Sequence, residues 1–126
     1  MASILRVNTL TDASSNNSIA TSFIFGGSAK AWLNLNGSSF GINDSFNVSS
    51  CVDDGTGDYT VNISSAYSND DFSSTSSCQG DSNNKNRAAC TNNNSSSEIY
   101  LNTFIPSSAN LGDLDEIHFA GHGDLA

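Results

Sequence analysis

The sequence predicts an all-β chain, an antiparallel, jelly-roll-like β-sandwich with long polar loops and an extended N-terminal arm. Three observations predict it. From about residue 29 apolar and polar side chains alternate with the period of half-buried strands. Ten glycines and many Ser, Asn and Asp clusters interrupt those runs at turn-like intervals. No amphipathic helix of useful length is visible anywhere. At 126 residues the chain suits one domain, because two independent cores would each be too small. The expected division is an arm over residues 1–27 and a sandwich over 28–126.

Taken in order, "SILRVNTL" reads as extended, with Ile4 and Arg6 on one face and Leu5 and Val7 on the other. Ile4, Leu5, Val7 and Leu10 are the candidate anchoring residues of the arm. "TDASSNNS" is a turn or tether, since Asp, Ser and Asn compete locally for backbone hydrogen bonds. The patch "IATSFIF" runs into a natural break at Gly26 and Gly27. In "KAWLNLNG", Ala31, Leu33 and Leu35 share one face and Trp32 lies on the other, with Gly37 ending the strand. "SFGINDSFNVSSCV" continues the alternation, placing Phe40, Ile42, Phe46, Val48 and Val52 on one parity.

"DDGTGD" is too polar to bury, and Gly55 and Gly57 can take the positive φ of a tight, bulged hairpin. Tyr59, Val61 and Ile63 resume the alternation beyond it. Trp32, Leu33, Leu35, Phe46, Val48, Tyr59, Val61 and Ile63 are therefore the candidates for core or oligomer packing. Residues 64–98 are mostly Ser and Asn and read as long loops around one or two weak strands, near Tyr67–Phe72 and Cys78. "EIYLNTFIP" is a strand ended by Pro106, "ANLGDLDE" a loop, and "IHFAGHGDLA" a last strand and tail.

Composition limits the function. The net charge is -9 and only Arg6, Lys30, Lys85 and Arg87 are cationic, so no basic patch for nucleic acid or an anionic membrane can be assembled. No run is long enough to span a bilayer, and the start lacks the features of a signal peptide. Leu, Ile, Val and Phe total only 27 residues, a lean core that identical copies would complete, so an oligomer is expected. Cys51, Cys78 and Cys90 cannot all pair within one chain; free thiols are expected, with a Cys78–Cys90 bridge as the alternative.

Candidate chemistry is sparse. His118 and His122 share a strand face but stand roughly 13 Å apart there, too far for one metal ion. The turn carboxylates of "DDGTGD" lack the spacing of a helix–loop–helix calcium loop. Asp53 with Asp58, or Asp113 with Glu116, are the candidate carboxylate pairs for glycan cleavage, and no serine sits in a nucleophile elbow. Trp32, Tyr59, Tyr67 and Tyr100 are the rings available to stack on sugars. Tyr67, with Phe72 beside it in the polar loops, is the expected host-contact point. The expectation is a non-enzyme without cofactor or metal.

"SAKAWLNLNG", "DSFNVSSCVDDGTGDYTVNIS" and the ending "HGDLA" together resemble a domain of tail-fibre-like and other virion structural proteins of phages infecting marine bacteria. "ILRVNTLTDASSNNS" resembles the short leader of such proteins. The resemblance is dense over residues 26–67 and 117–126, and the Asn- and Ser-rich residues 73–97 depart from it. It implies a displayed, non-enzymatic virion component, a homotrimer assembled in the host cytoplasm and placed on the virion surface. Its implied partners are another virion protein, tail or major capsid, and a host surface glycan. A capsid decoration protein is the alternative and a glycan-cleaving enzyme a remote one.

Overall fold

The computed structural model describes residues 3–79, 86–108 and 110–126. The chain is mostly strand, with antiparallel sheets packed together as a sandwich. The body is built from β3 (Ala31–Asn36), β4 (Gly41–Phe46), β5 (Val48–Gly55), β6 (Asp58–Ile63), β7 (Ser73–Gln79), β8 (Ala88–Ser95), β9 (Glu98–Ile105), β10 (Asn110–Leu111) and β11 (Glu116–His122). One sheet runs β4-β3-β11-β7. The other runs β5-β6-β9-β8, with the short β10 paired to the far end of β9. Ahead of the body lie β1 (Thr9–Thr11), β2 (Ser18–Ala20) and one seven-residue helix, α1 (Thr21–Gly27).

The alternation in the sequence sets which side chains meet. Ala31, Leu33 and Leu35 of β3 and Ile117 and Phe119 of β11 face Tyr59, Val61 and Ile63 of β6 and Ile99 and Leu101 of β9. All are buried, and each large aliphatic among them contributes about 1.5–3 kcal/mol by leaving water. Thr103 is the buried polar residue of β9, and its hydroxyl donates to the Gly112 carbonyl at 2.6 Å. Phe40 stacks on Tyr59 with ring centroids 6.2 Å apart.

The run from Phe40 to Val52, expected as one alternating strand, is two strands in different sheets. Asn47 breaks it with a φ of 57°. Its side chain donates to the carbonyls of Lys30 and Ser65, both at 3.0 Å, and accepts from the Ser65 N–H at 2.7 Å. Asn tolerates this left-handed conformation better than other residues with a side chain. Phe46 and Val48 therefore part company: Val48 packs against the core and Phe46 stands 55% exposed. The next turn forms as expected, with Gly55 at φ 139° and Gly57 at φ 64° and a register shift beside Gly55.

The Ser- and Asn-rich region supplies two strands, β7, which is the strand expected near Cys78, and β8, which was expected to be loop; they meet across the sheets with the Ser74 and Thr91 hydroxyls 2.8 Å apart. Their half-buried positions are Ser74, Ser76 and Cys78 on β7 and Ala88, Ala89, Thr91, Asn93 and Ser95 on β8. The expected strand over Tyr67–Phe72 is absent there; Tyr67 makes one bridge to Leu125. Part of the Cys78–Cys90 connection, residues 80–85, lies outside the described residues.

Burial makes the fold sensitive to alkali. It pushes the Cys51 thiol from its ordinary 9.0 up to about 12, with the Asp54 and Asp53 charges adding to it. Burial also pushes the Tyr67 phenol up to about 12, and raises Tyr59, whose hydroxyl additionally donates to Asp113. An unfolded chain gives up these protons first, so it binds fewer protons than the native state above pH ~9 and gains relative to it. Urea midpoints are expected to be insensitive to these groups below pH ~8.5 and to fall progressively between pH ~9 and 12. A midpoint that stays level to pH 12 would refute the burial of these three groups.

Candidate interaction surface

Residues 3–27 form a small hairpin and helix that bury none of their large apolar side chains. In the β1–β2 hairpin Leu10 lies opposite Ile19. The turn is tied by Asp12, whose carboxylate accepts from the Asn16 N–H at 3.0 Å and the Asn17 amide at 2.8 Å. That amide holds the Asp12 carboxyl below its ordinary value. The strand expected over residues 3–10 is confined to Thr9–Thr11, and the apolar patch beyond it forms α1. Ile4, Leu5, Val7 and Leu10 are exposed, as are Ile19, Phe23, Ile24 and Phe25 on β2 and α1; Leu5 is 80% exposed and Phe23 74%.

The outer face of the β4-β3-β11-β7 sheet carries a second set of uncovered groups. Register places Phe46, Trp32, Ala120 and Thr75 in one row across the four strands. The next row is Asp44, Asn34, His118 and Ser77. Of the expected packing residues, Leu33, Leu35, Tyr59, Val61 and Ile63 are in the core, and Val48 packs on it. Trp32 and Phe46 are not; they form the apolar row on the outside. His118 lies 3.4 Å from the Ser77 hydroxyl and 3.8 Å from Glu116, and His122 is four residues further along the same face.

Tyr67 and Phe72, expected to contact a host, are buried instead. They are 1% and 6% exposed, and their rings stack with centroids 3.9 Å apart. Their surroundings explain it: Gly121 and Gly123, at the end of β11, leave the space these rings fill. A Cβ at Gly121 would stand 2.3 Å from the Tyr67 hydroxyl. The polar sequence around the two rings conceals a hydrophobic pair that closes one end of the sandwich.

Of the tyrosines named as rings that could stack on a sugar, the exposed one is Tyr100, not Tyr67. It stands at the centre of the opposite outer face, in register with Thr60 and Asn92. A shallow groove of about 410 Å³ is lined there by Asp54, Asp58, Thr60, Tyr100 and Asn102. Asp58 accepts from the Asn102 amide at 2.7 Å, and Asp54 accepts from the Thr60 hydroxyl. The even-numbered position of Tyr100, out of phase with buried Ile99 and Leu101, was the signal available in the sequence.

The carboxylates weighed for catalysis are drawn to separate partners. Asp53 accepts from the Gly55 N–H at 3.0 Å within its own turn, while Asp58 is a β6 residue bonded to Asn102. Asp113 accepts from the Gly57 N–H at 2.7 Å and the Tyr59 hydroxyl at 2.9 Å, whereas Glu116 is a β11 residue beside His118. Among the described residues no three His, Cys, Asp or Glu side chains converge as a metal site. All three cysteines are free, with Cys78 and Cys90 on different sheets. No described helix is long and apolar enough to cross a membrane. No protein-family model matches the sequence, and no curated protein and no solved structure matches it.

Proposed function

We propose that the chain is a non-enzymatic structural protein of a phage virion, displayed on the particle surface as a trimeric, fibre-like appendage after assembly in the host cytoplasm. The observation that carries this reading is the arm. Eight large apolar side chains in residues 3–27 are exposed, which is the surface of a segment made to dock. The sequence motifs that resemble virion structural domains supply the context, with a tail or capsid protein as the docking partner. The scattering of the carboxylates among structural hydrogen bonds supports the non-enzymatic part.

Host contact belongs, on this reading, to the outer faces, with Tyr100 and its polar groove replacing the buried Tyr67. A ring flanked by hydrogen-bonding side chains suits the C–H face and hydroxyls of a sugar. The reading is tested with Phe23→Ser/Phe25→Ser, a pair of exposed side chains on α1, which buries no residue. The variant is expected to keep its strand-rich circular dichroism and urea midpoint while losing incorporation into particles by at least about tenfold, the scale on which interface anchors act. Incorporation at the native level would overturn the anchoring role of the arm.

A further inference from the structure

The outer face of the β5-β6-β9-β8 sheet is a polar surface built around one ring. Register sets Val52, Thr60, Tyr100 and Asn92 in one row and Asp58, Asn102 and Cys90 in the next. Asp54 and Asp58 line the groove beside Tyr100, and among the described residues no cation does. Their charges are oriented but not cancelled, because the Thr60 hydroxyl and the Asn102 amide that bond them are neutral. Glu98, one row beyond Tyr100, is likewise bonded by the Asn94 amide. Among the described residues, Asp54 Oδ1 and Asp58 Oδ2 accept no hydrogen bond. Asn102 keeps a second N–H, and the Asn92 amide is not engaged by any described side chain. The groove therefore offers donors and acceptors around an aromatic ring, in a volume of about 410 Å³ that falls within the ~300–1,000 Å³ of small-ligand sites.

We infer that this groove takes a neutral sugar of a glycan and turns away acidic ones. The C–H face of the sugar stacks on the Tyr100 ring, which is 37% exposed. Its hydroxyls donate to Asp54 Oδ1 and Asp58 Oδ2 and accept from the Asn92 and Asn102 amides. A hydroxyl both donates and accepts, so it uses both kinds of site, whereas a bare cation or anion would use only one. A uronate, sulfate or phosphate would bring its charge beside Asp54, Asp58 and Glu98 with no lining cation to offset it. A sister subunit is a poor occupant, because each copy carries a net charge of -9 and this face holds uncancelled carboxylates. The inference rests on the host-contact part of the proposed function and narrows its ligand to one charge class.

The test titrates the full chain against immobilised oligosaccharides of three kinds. The neutral series is built from glucose, galactose, mannose or N-acetylglucosamine; the acidic series is uronate or sulfated; the cationic series is glucosamine. Saturable binding to a neutral series and none to the acidic series is expected. Tyr100→Ala is expected to weaken that binding at least about tenfold, and Tyr100→Phe, which keeps the ring, to stay within about threefold. Asp54→Asn/Asp58→Asn changes charge and not shape, and is expected to narrow the neutral-over-acidic preference at least about tenfold. Urea midpoints check that each variant is folded. Binding confined to the acidic or the glucosamine series, and lost in Tyr100→Ala, would overturn the neutral-sugar inference while leaving glycan contact at this face intact. Neutral binding that Tyr100→Ala does not weaken would overturn the placement at this groove. No binding to any series overturns both the inference and the host-contact reading.

Discussion

Gly57→Ala is expected to destabilise the fold by at least about 3 kcal/mol, combining backbone strain with an unrelieved steric clash. Gly57 has φ 64°, where a residue with a Cβ is disfavoured. A Cβ there would also stand 2.5 Å from the Thr103 carbonyl oxygen and 2.6 Å from the Gly112 nitrogen. Neither is the end of a flexible side chain; both are backbone. The same residue donates its N–H to Asp113 and accepts from the Thr103 N–H at 2.9 Å, so any shift loosens the junction of β6, β9 and β10. Gly55→Ala is the control. Gly55 also has positive φ, 139°, but nothing lies within 4 Å of its added Cβ. Urea denaturation at pH 7 should give a clearly larger loss for Gly57→Ala. Equal losses would mean that backbone conformation alone governs this turn.

Tyr67→Ala is expected to cost about 3–5 kcal/mol, the range for emptying a buried aromatic site. Tyr67→Phe is expected to be neutral or to stabilise by up to about 1 kcal/mol. The reason for the split is that the ring and the hydroxyl do opposite things. The ring stacks on Phe72 and fills the space left by Gly121 and Gly123. The hydroxyl is buried without a hydrogen-bond partner, so desolvating it works against folding. Thermal or urea midpoints of the two variants check both halves. A loss above about 1 kcal/mol for Tyr67→Phe would show that the hydroxyl is bonded after all, since that is the typical net worth of a hydrogen bond.

Much of the sandwich was legible because alternation is a direct record of which face is buried. Ala31, Leu33, Leu35, Tyr59, Val61 and Ile63 were placed by parity alone, and all six are in the core. Parity failed where one residue left the extended region. Asn47 carries no apolar signal, yet its positive φ moves Phe46 and Val48 onto opposite environments. The weak strand expected near Cys78 is β7, whereas composition misled at β8, where Thr and Asn fill half-buried positions that were expected to be loop. Small hydroxyl side chains can occupy such positions when they bond across the seam, as Ser74 and Thr91 do. Tyr67 and Phe72 misled in the same way, because their local neighbours are polar and their actual neighbours come from the end of β11. The outer groove at Tyr100 needed the structure: Asp58, Thr60, Tyr100 and Asn102 become adjacent only through the β6–β9 register.

The hydroxyl- and amide-lined join between β7 and β8 has a thermal consequence. Exposing apolar area raises the heat capacity of unfolding and exposing polar area lowers it. A sandwich that closes one side with Ser, Thr and Asn instead of aliphatics should unfold with less than the usual ~12–15 cal/mol/K per residue. Its stability then varies gently with temperature, and the protein keeps a similar margin in cold and warm water alike.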